Sequence, residues 1–315
     1  MQDTAPPPAL PREAAQAPAA PARPSGEGGV GSAMVLPAFA LFAIFVLYPV
    51  ALTVVASFQE FGLSSERRFF VGLANYAEMA GDPVFWLALR NNVFLLLGSV
   101  AVQVGVGTLL AAILDRAIHR FGSVFRTLIF APMVMSMVAV SLLWSMIYHP
   151  VFGMVTKAGD ALGLPPSELG ILGDPATVNW AILSVACWQY TGFVMVIVFA
   201  GMQAIPEDLY QAAKLDGAGP VRSFLAITLP GIRNVVIVAV LLTMIGSFKI
   251  FDLIYVLTAG GPGNASDVLG TYIYDTAFTL ERMGYASAIA VVLLAIAIGI
   301  GLVQLRASRT AGAHG

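Results

Sequence analysis

The sequence has few charged residues, a single cysteine and a net charge close to zero. Only 11% of its 315 residues are charged, against roughly 25% in an ordinary soluble domain. A net charge of −2 argues against a nucleic-acid partner. The lone Cys187 cannot form an internal disulfide and leaves the redox compartment open. Together these shortages exclude an ordinary soluble domain and a disulfide-stabilised one.

The sequence also lacks the short motifs of common catalytic sites. It contains no GxxxxGK[ST] phosphate-binding loop, Cys/His metal cluster, GxSxG nucleophile turn or plausible Ser-His-Asp set. We therefore expect the chain not to be an enzyme, and to bind no ATP, metal or other cofactor itself.

Long apolar runs dominate what is present, since 58% of the residues are hydrophobic. A helix needs about 20 apolar residues to cross ~30 Å of hydrocarbon. The sequence therefore predicts an all-α integral membrane protein with about six transmembrane helices. The predicted spans lie at about residues 33–57, 92–114, 124–147, 178–202, 232–254 and 284–305.

The flanking segments predict the domain organisation and the orientation. Residues 1–32 are rich in Pro, Ala and Gly, so we expect a disordered cytoplasmic tail before a membrane domain at 33–305. Residues 306–315 form a second short tail. With the N-terminus inside, ten Lys and Arg residues fall on the inner side and five on the outer side. Positive charge marks the cytoplasmic side, so both termini are predicted to be cytoplasmic.

The connection between the fourth and fifth spans is too polar to cross a membrane and unusually structured for a loop. Pro206 suits a first helical turn, and two acidic residues follow it at the positive end of the helix dipole. Gly217 and Gly219 allow the chain to turn, and Pro220 can begin a second helix that Pro230 ends. This pattern predicts two short helices with a break.

The same stretch resembles the cytoplasmic EAA loop of ABC importer permeases. That pattern is Glu-Ala-Ala, two residues, Asp-Gly-Ala, five residues, Phe, two residues, Ile, one residue and Leu-Pro. Gln211 stands where the family usually has Glu. Nine residues match at the right spacing: Ala212, Ala213, Asp216, Gly217, Ala218, Phe224, Ile227, Leu229 and Pro230.

This resemblance implies the MetI-like ABC permease fold with a cytoplasmic coupling loop at 204–230. It implies that two ABC ATPase subunits, which use ATP and Mg²⁺, dock on this loop. A second, homologous permease subunit and a periplasmic or extracytoplasmic solute-binding protein complete the expected complex in the bacterial inner membrane. The residues expected to contact the ATPase are Gln211, Ala212, Ala213, Asp216, Gly217 and Ala218.

Three other stretches resemble the carbohydrate branch of these permeases. They are FVGLANY at 70–76, FKIFD at 248–252 and TAGGP at 258–262. The last is similar to the first-permease type of maltose and glycerol-phosphate importers. The resemblance implies half of a translocation pathway for a sugar or related polyol, in a heterodimer with a permease of the partner type.

Span five carries four polar residues that are candidates for the solute path. Thr243 and Ser247 lie one turn apart and either line a path or bond back to their own helix. Lys249 and Asp252, three apart on one predicted helix, either mark a functional cavity or form a local ion pair near the outer interface.

Span four contributes Trp188, Gln189 and Tyr190. Aromatic rings with polar tips suit stacking against a sugar, and an intramembrane Gln needs a partner. The alternative is that these side chains serve helix packing and an interfacial aromatic belt.

Two other functions remain as alternatives. An ion-coupled secondary transporter would depend on intramembrane carboxylates, of which only Asp252 would serve, and would leave the 204–230 loop unexplained. A membrane enzyme would need converging acid, base or metal-binding groups, which the sequence does not offer.

Overall fold

The computed structural model describes residues 27–64, 67–117, 122–163, 169–248 and 250–312. Most of the predicted disordered tail, and also Lys249, lie outside the described residues. The chain divides into two compact units, residues 1–50 and 51–315. Apart from one small hairpin, the described residues fold as helices and their connections, as the sequence predicts.

The helices and strands follow the chain in this order. The α-helices are Glu27–Phe42, Tyr48–Ala56, Ala74–Gly81, Pro83–Ser99, Gly105–Ala117, Gly122–Val134, Met137–Ile147, Met154–Ala161, Gly170–Gly173, Val178–Met202, Glu207–Leu215, Pro220–Ser223, Leu229–Gly231, Arg233–Phe248, Phe251–Leu257, Leu269–Tyr274 and Met283–Gly312. π-Helical turns lie at Ala43–Leu47, Val100–Val104, Phe224–Thr228 and Asp275–Thr279. Two antiparallel strands, Gln59–Glu60 and Phe69–Phe70, pair with each other.

Four helices in the described part of the chain are long and apolar enough to cross a membrane alone. They are span one at Val35–Ala56, span two at Pro83–Asp115, span four at Val178–Met202 and span six at Met283–Val303. The total reaches the predicted six if two bent helix pairs each count as one span. These pairs are Gly122–Val134 with Met137–Ile147, and Pro220–Gly231 with Arg233–Phe248.

Spans one and six, the first and last along the chain, extend beyond their predicted limits. The helix of span one begins at Glu27 rather than at residue 33, so the last residues of the predicted tail are helical. Its first turns contain Gly28, Gly29 and Gly31, which disfavour a helix, so the local sequence does not explain this early start. The helix of span six continues to Gly312, so the predicted tail at 306–315 is largely helical.

Span two begins nine residues before its predicted start. Its helix begins at Pro83, and the Asp82 carboxylate accepts a hydrogen bond of 2.8 Å from the Val84 amide. Asp before Pro is a strong helix start, because the side chain caps a free N–H and proline fits the first turn. The sequence carries this signal, but the prediction followed the apolar run instead.

Span three is not the single straight helix that was predicted. Gly122–Val134 and Met137–Ile147 meet at a bend of 99°. Ser136, at the break, has an extended backbone with ψ of 135°. Pro132 lies in the last turn of the first half, where it lacks a donor for the preceding turn.

Span four agrees with its predicted bounds and is the most buried span. Its Gly192 packs against span three, since a β-carbon there would lie 2.1 Å from the Ile129 carbonyl oxygen. Only glycine permits this approach, so span four lies at the centre of the second unit.

Span five is also broken, where one continuous helix was predicted. The helix Arg233–Phe248 ends before Lys249, and a new helix, Phe251–Leu257, begins after Ile250 with a non-helical ψ of 37°. Lys249 itself lies outside the described residues, so its pairing with Asp252 stays a prediction. A second bend of 71° separates Pro220–Gly231 from Arg233–Phe248.

Candidate functional site

The 204–230 connection forms the two helices that the sequence predicts. The first helix spans Glu207–Leu215 and the second begins at Pro220. Between them Gly217 has a φ of +74°, a left-handed conformation in which a β-carbon is unfavourable. Pro206 lies just before the first helix rather than inside its first turn.

The expected ATPase-contacting residues lie at the surface. Gln211, Ala212, Asp216 and Gly217 are exposed, whereas Ala213 and Ala218 are half-buried. No described atom outside its chain neighbours lies within 4 Å of a β-carbon built on Gly217. The loop also presents large apolar side chains to the outside: Leu209, Leu215, Val221 and Leu225. A cluster of exposed apolar side chains like this is typical of an interaction site.

Hydrogen bonds tie this loop to the spans. Tyr210, in the first helix, shares a bond of 2.9 Å with the hydroxyl of Thr228, which lies on the π-helical turn that leads to span five. Gln203, at the end of span four, donates to Asp115 of span two over 2.8 Å. Tyr210 and Asp115 both line a cleft of about 430 Å³ beside the loop.

A cavity of about 310 Å³ lies among spans two, three, four and five. Three of the predicted solute-path residues, Tyr190, Thr243 and Ser247, line it together. Ser247 also donates to the Thr243 carbonyl over 2.9 Å, which confirms that this side chain bonds back to its own helix. Its volume falls within the roughly 300–1,000 Å³ of small-molecule sites.

Two polar residues of span two also line this cavity, and the sequence analysis missed them. Ser99 and Gln103 are almost fully buried, and Gln103 hydrogen-bonds the Cys187 thiol of span four. An intramembrane glutamine was the available signal. Within the described residues, no three His, Cys, Asp or Glu side chains are placed to share a metal ion.

The other candidates for the solute path do not line the cavity. Trp188 is 40% exposed and packs edge-on against Trp144, with ring centroids 5.6 Å apart. Gln189 is buried and donates to the Met135 carbonyl. These two side chains follow the packing alternative. Asp252 is exposed, but its charge acts on the Tyr190 hydroxyl.

The TAGGP stretch belongs to a tightly bonded loop at the far end of span five. Asn91 of span two donates to the carbonyls of Ala265 and Asp267, both over 2.8 Å. Thr271 donates to the Asp267 carboxylate over 2.9 Å. Gly260 has a φ of +80°, and a β-carbon there would lie 2.1 Å from that carboxylate. Burial raises the pKa of Asp267 to about 6, although the Thr271 hydrogen bond opposes this shift.

A second bonded cluster lies between the start of span two and the start of span six. Asp82 accepts hydrogen bonds from the hydroxyls of Tyr272 and Tyr285. Burial alone would raise the pKa of Asp82, but the hydrogen bonds from Tyr272, Tyr285 and the backbone outweigh it and lower that pKa. Close by, Arg282 forms a two-pronged ion pair with Glu78, with both N–O distances at 2.7 Å.

Known proteins of similar sequence and structure agree with this arrangement. Residues 103–311 match the family described as binding-protein-dependent transport system inner membrane component. The probable ABC transporter permease protein YurN of Bacillus subtilis (strain 168) is 40% identical over 83% of this chain and 90% of its own. The sulfoquinovosyl glycerol transport system permease protein SmoG of Agrobacterium fabrum is 33% identical over 84% of this chain and 85% of its own.

Among solved structures, a bacterial ABC transporter that imports the acidic polysaccharide alginate superposes with a TM-score of 0.78 at 23% identity. The match covers 90% of this chain and 96% of the other. At this identity the likeness shows a shared fold. With the family match and the 40% identical relative, it shows that the chain belongs to the ABC transporter permeases, the inner membrane components of binding-protein-dependent transport systems.

Proposed function

We propose that the chain forms half of the translocation pathway of an ABC importer for a saccharide or related polyol. The observation that carries this proposal is the cavity in which Tyr190, Thr243 and Ser247 meet Ser99 and Gln103. An aromatic ring beside several hydroxyl and amide groups is suited to a solute with an apolar ring face and many hydroxyls. The relative named for sulfoquinovosyl glycerol, a sugar derivative, supports this class.

The 204–230 loop is the proposed contact with the ATPase. Its exposed apolar side chains and the left-handed Gly217 suit close approach by another protein. Gln211 supplies a neutral amide where the family usually has a carboxylate, so its contact with a cationic partner is weaker than a charge-assisted one. The remaining proposed contacts are Ala212, Ala213, Asp216 and Ala218. ATP and Mg²⁺ are bound by the ATPase and not by this chain.

The proposed complex contains this chain, a different homologous permease, two ATPase subunits and an extracytoplasmic solute-binding protein. Both termini lie in the cytoplasm, which places the 204–230 loop beside the ATPase and the TAGGP loop on the outer side. The excess of Lys and Arg on the inner segments supports this orientation. Reporter fusions after Ala307 are expected to behave as cytoplasmic, and fusions at Asp160 as external.

Transport by the reconstituted complex tests the proposal. Proteoliposomes containing all subunits are loaded with ATP and supplied with binding protein, and the uptake of radiolabelled lactose, maltose, trehalose and xylose is measured. We expect ATP-dependent uptake of at least one of them. Uptake driven by an ion gradient without ATP, or uptake of none of the four, would contradict the proposed function.

A further inference from the structure

Four aromatic side chains form a continuous row beyond the break in span five. The ring centroids of Phe251 and Tyr255 lie 5.2 Å apart with nearly parallel planes. Tyr274 lies 4.9 Å from Tyr255 and 5.0 Å from Phe278. These separations fall within the range of interacting aromatic pairs. We call these four residues the aromatic row.

The aromatic row begins at the residue that follows the last cavity-lining residue of span five. Ile250 lines the cavity, and Phe251 is the next residue along the chain. Phe251 and Tyr255 lie one turn apart on the same helix, so they share a face. Asp252, on this helix, acts electrostatically on Tyr190 in the cavity wall. The row therefore adjoins the lining of the cavity along the chain, on the helix that leads to the TAGGP stretch.

The exposed rings of the aromatic row have polar groups at their edges. Tyr255 is 40% exposed and Phe278 is 52% exposed. The Tyr255 hydroxyl donates to the Tyr274 hydroxyl over 3.4 Å, and the Asp275 carboxylate acts on the same Tyr255 hydroxyl. A carboxylate facing lipid hydrocarbon would be costly. With Asp252 and Asp275 beside it, the row is suited to a wet, solute-facing surface rather than a lipid-facing one.

We propose that the aromatic row is a second, outer saccharide subsite that the solute occupies before it reaches the central cavity. The apolar face of a pyranose ring stacks on Tyr255 and Phe278, and its hydroxyls donate to Asp252 and Asp275. Each stacking contact between a sugar ring and an aromatic ring is weak, so the solute is held without being trapped. This inference rests on the proposed saccharide function and adds a site to it.

Saturation-transfer NMR on the complete complex in lipid nanodiscs tests the subsite. The probes are maltotriose and lactose, with glycerol as a polyol that has no ring face. All measurements use a Ser247→Leu background, which fills the central cavity. We expect transfer to the pyranose ring protons, and a signal about fivefold weaker in a Tyr255→Leu/Phe278→Leu double variant.

Matched variants separate stacking from general damage. Phe70, at 79% exposed, is an aromatic residue outside the row, so Phe70→Leu is expected to leave the signal unchanged. Tyr255→Trp keeps a ring and is expected to keep the signal. Equal signals from the double variant and its Ser247→Leu parent would overturn the subsite. So would equal transfer to glycerol and maltotriose.

Two further outcomes distinguish this inference from the proposed function. If the complex takes up a saccharide with an unchanged KM after Tyr255→Leu/Phe278→Leu, the subsite is wrong and the transport function stands. If Tyr255→Cys in the intact complex is shielded from a membrane-impermeant thiol reagent, a neighbouring subunit covers the row and the subsite is again wrong. Labelling of that cysteine with loss of labelling in 50 mM maltotriose supports it.

Discussion

The side-chain amide of Gln189 on span four donates a hydrogen bond to the Met135 carbonyl, 3.1 Å away, where span three breaks. Gln189 is 1% exposed, and its Oε1 has no hydrogen-bond partner among the described residues. A break in a helix of a membrane span leaves carbonyls without their usual donors, and an unpaired polar group in hydrocarbon is costly. The Gln189 amide therefore stabilises the 99° bend.

This hydrogen bond predicts unequal losses of stability for two substitutions of similar volume. Gln189→Glu turns the donor into an acceptor that faces the Met135 carbonyl, and should cost about 2 kcal/mol or more. Gln189→Met removes the bond without adding a charge and should cost less. Thermal unfolding of the purified complex measures the difference. Equal midpoints for the two variants would show that the bond does not hold the bend.

Gly217→Asp is expected to abolish uptake while the protein still inserts into the membrane. A β-carbon at a φ of +74° costs roughly 1 kcal/mol or more, and a charged side chain would obstruct the ATPase. Gly219→Asp is the control, because Gly219 has a φ of −71° and precedes a helix, where Asp is a favourable cap. Solute-stimulated ATP hydrolysis and uptake are measured together. Normal transport by Gly217→Asp would remove the loop from the coupling mechanism.

Tyr210 and Thr228 are expected to transmit loop movement to span five as a pair. Tyr210→Phe and Thr228→Val each remove the bond of 2.9 Å, worth about 0.5–1.5 kcal/mol. Each should lower the solute transported per ATP hydrolysed, and the double variant should be no worse than the worse single variant. Fully additive losses would mean that the two residues act separately.

The central cavity predicts a loss of uptake from two changes on different spans. Tyr190→Ala removes the aromatic wall, and Ser247→Leu fills the space with an apolar side chain. Both should reduce uptake at least tenfold, which corresponds to about 1.4 kcal/mol. Ser145→Leu is the control, since Ser145 bonds only to its own helix at Leu142 among the described contacts. Unchanged uptake in Tyr190→Ala and Ser247→Leu would remove this cavity from the solute path.

Asp267 predicts a pH dependence of the outer loop. Its folded pKa, raised by burial to about 6, lies above the ordinary value of 3.8, so the folded state holds the proton more tightly. The stability that it contributes is complete below pH 3.8 and is lost as pH rises through 6. The thermal unfolding midpoint of the wild type, measured relative to that of Asp267→Asn, should therefore fall between pH 4.5 and 7.5. Each kcal/mol of lost stability lowers the midpoint by about 2–4 °C. Unfolding midpoints of wild type and Asp267→Asn that change in parallel with pH would contradict this prediction.

Apolar runs and turn residues predicted most of the fold. Span four agreed to the residue because neither a charged residue nor a proline interrupts its run. The break between the two loop helices was predicted because Gly217 allows the chain to turn. The breaks in spans three and five were missed. The sequence offered local signals, namely Pro132 near the first break and the charged residues of FKIFD at the second. The Gln189 contact at the first bend is distant in sequence and could not be predicted.

The site was predicted less completely than the fold. Tyr190, Thr243 and Ser247 were grouped correctly from polar residues within apolar runs. Gln103 was not predicted, because candidates were proposed only on spans four and five. Trp188 lies outside the cavity, which the sequence left open because helix periodicity does not tell which side of a span faces a neighbour and which faces outward.

Span two connects the two surfaces of the molecule as one long helix. Its Asn91 is bonded to the TAGGP loop at one end, and its Asp115 to Gln203 at the other. The 24 residues between them rise about 36 Å at 1.5 Å per residue. A helix is stiff along its axis, so an outer loop pushed by a docking protein shifts the Asp115 end as well. In the proposed orientation, we therefore expect docking of a binding protein on the outer loop to be transmitted along span two to the proposed ATPase-contacting loop before the solute moves.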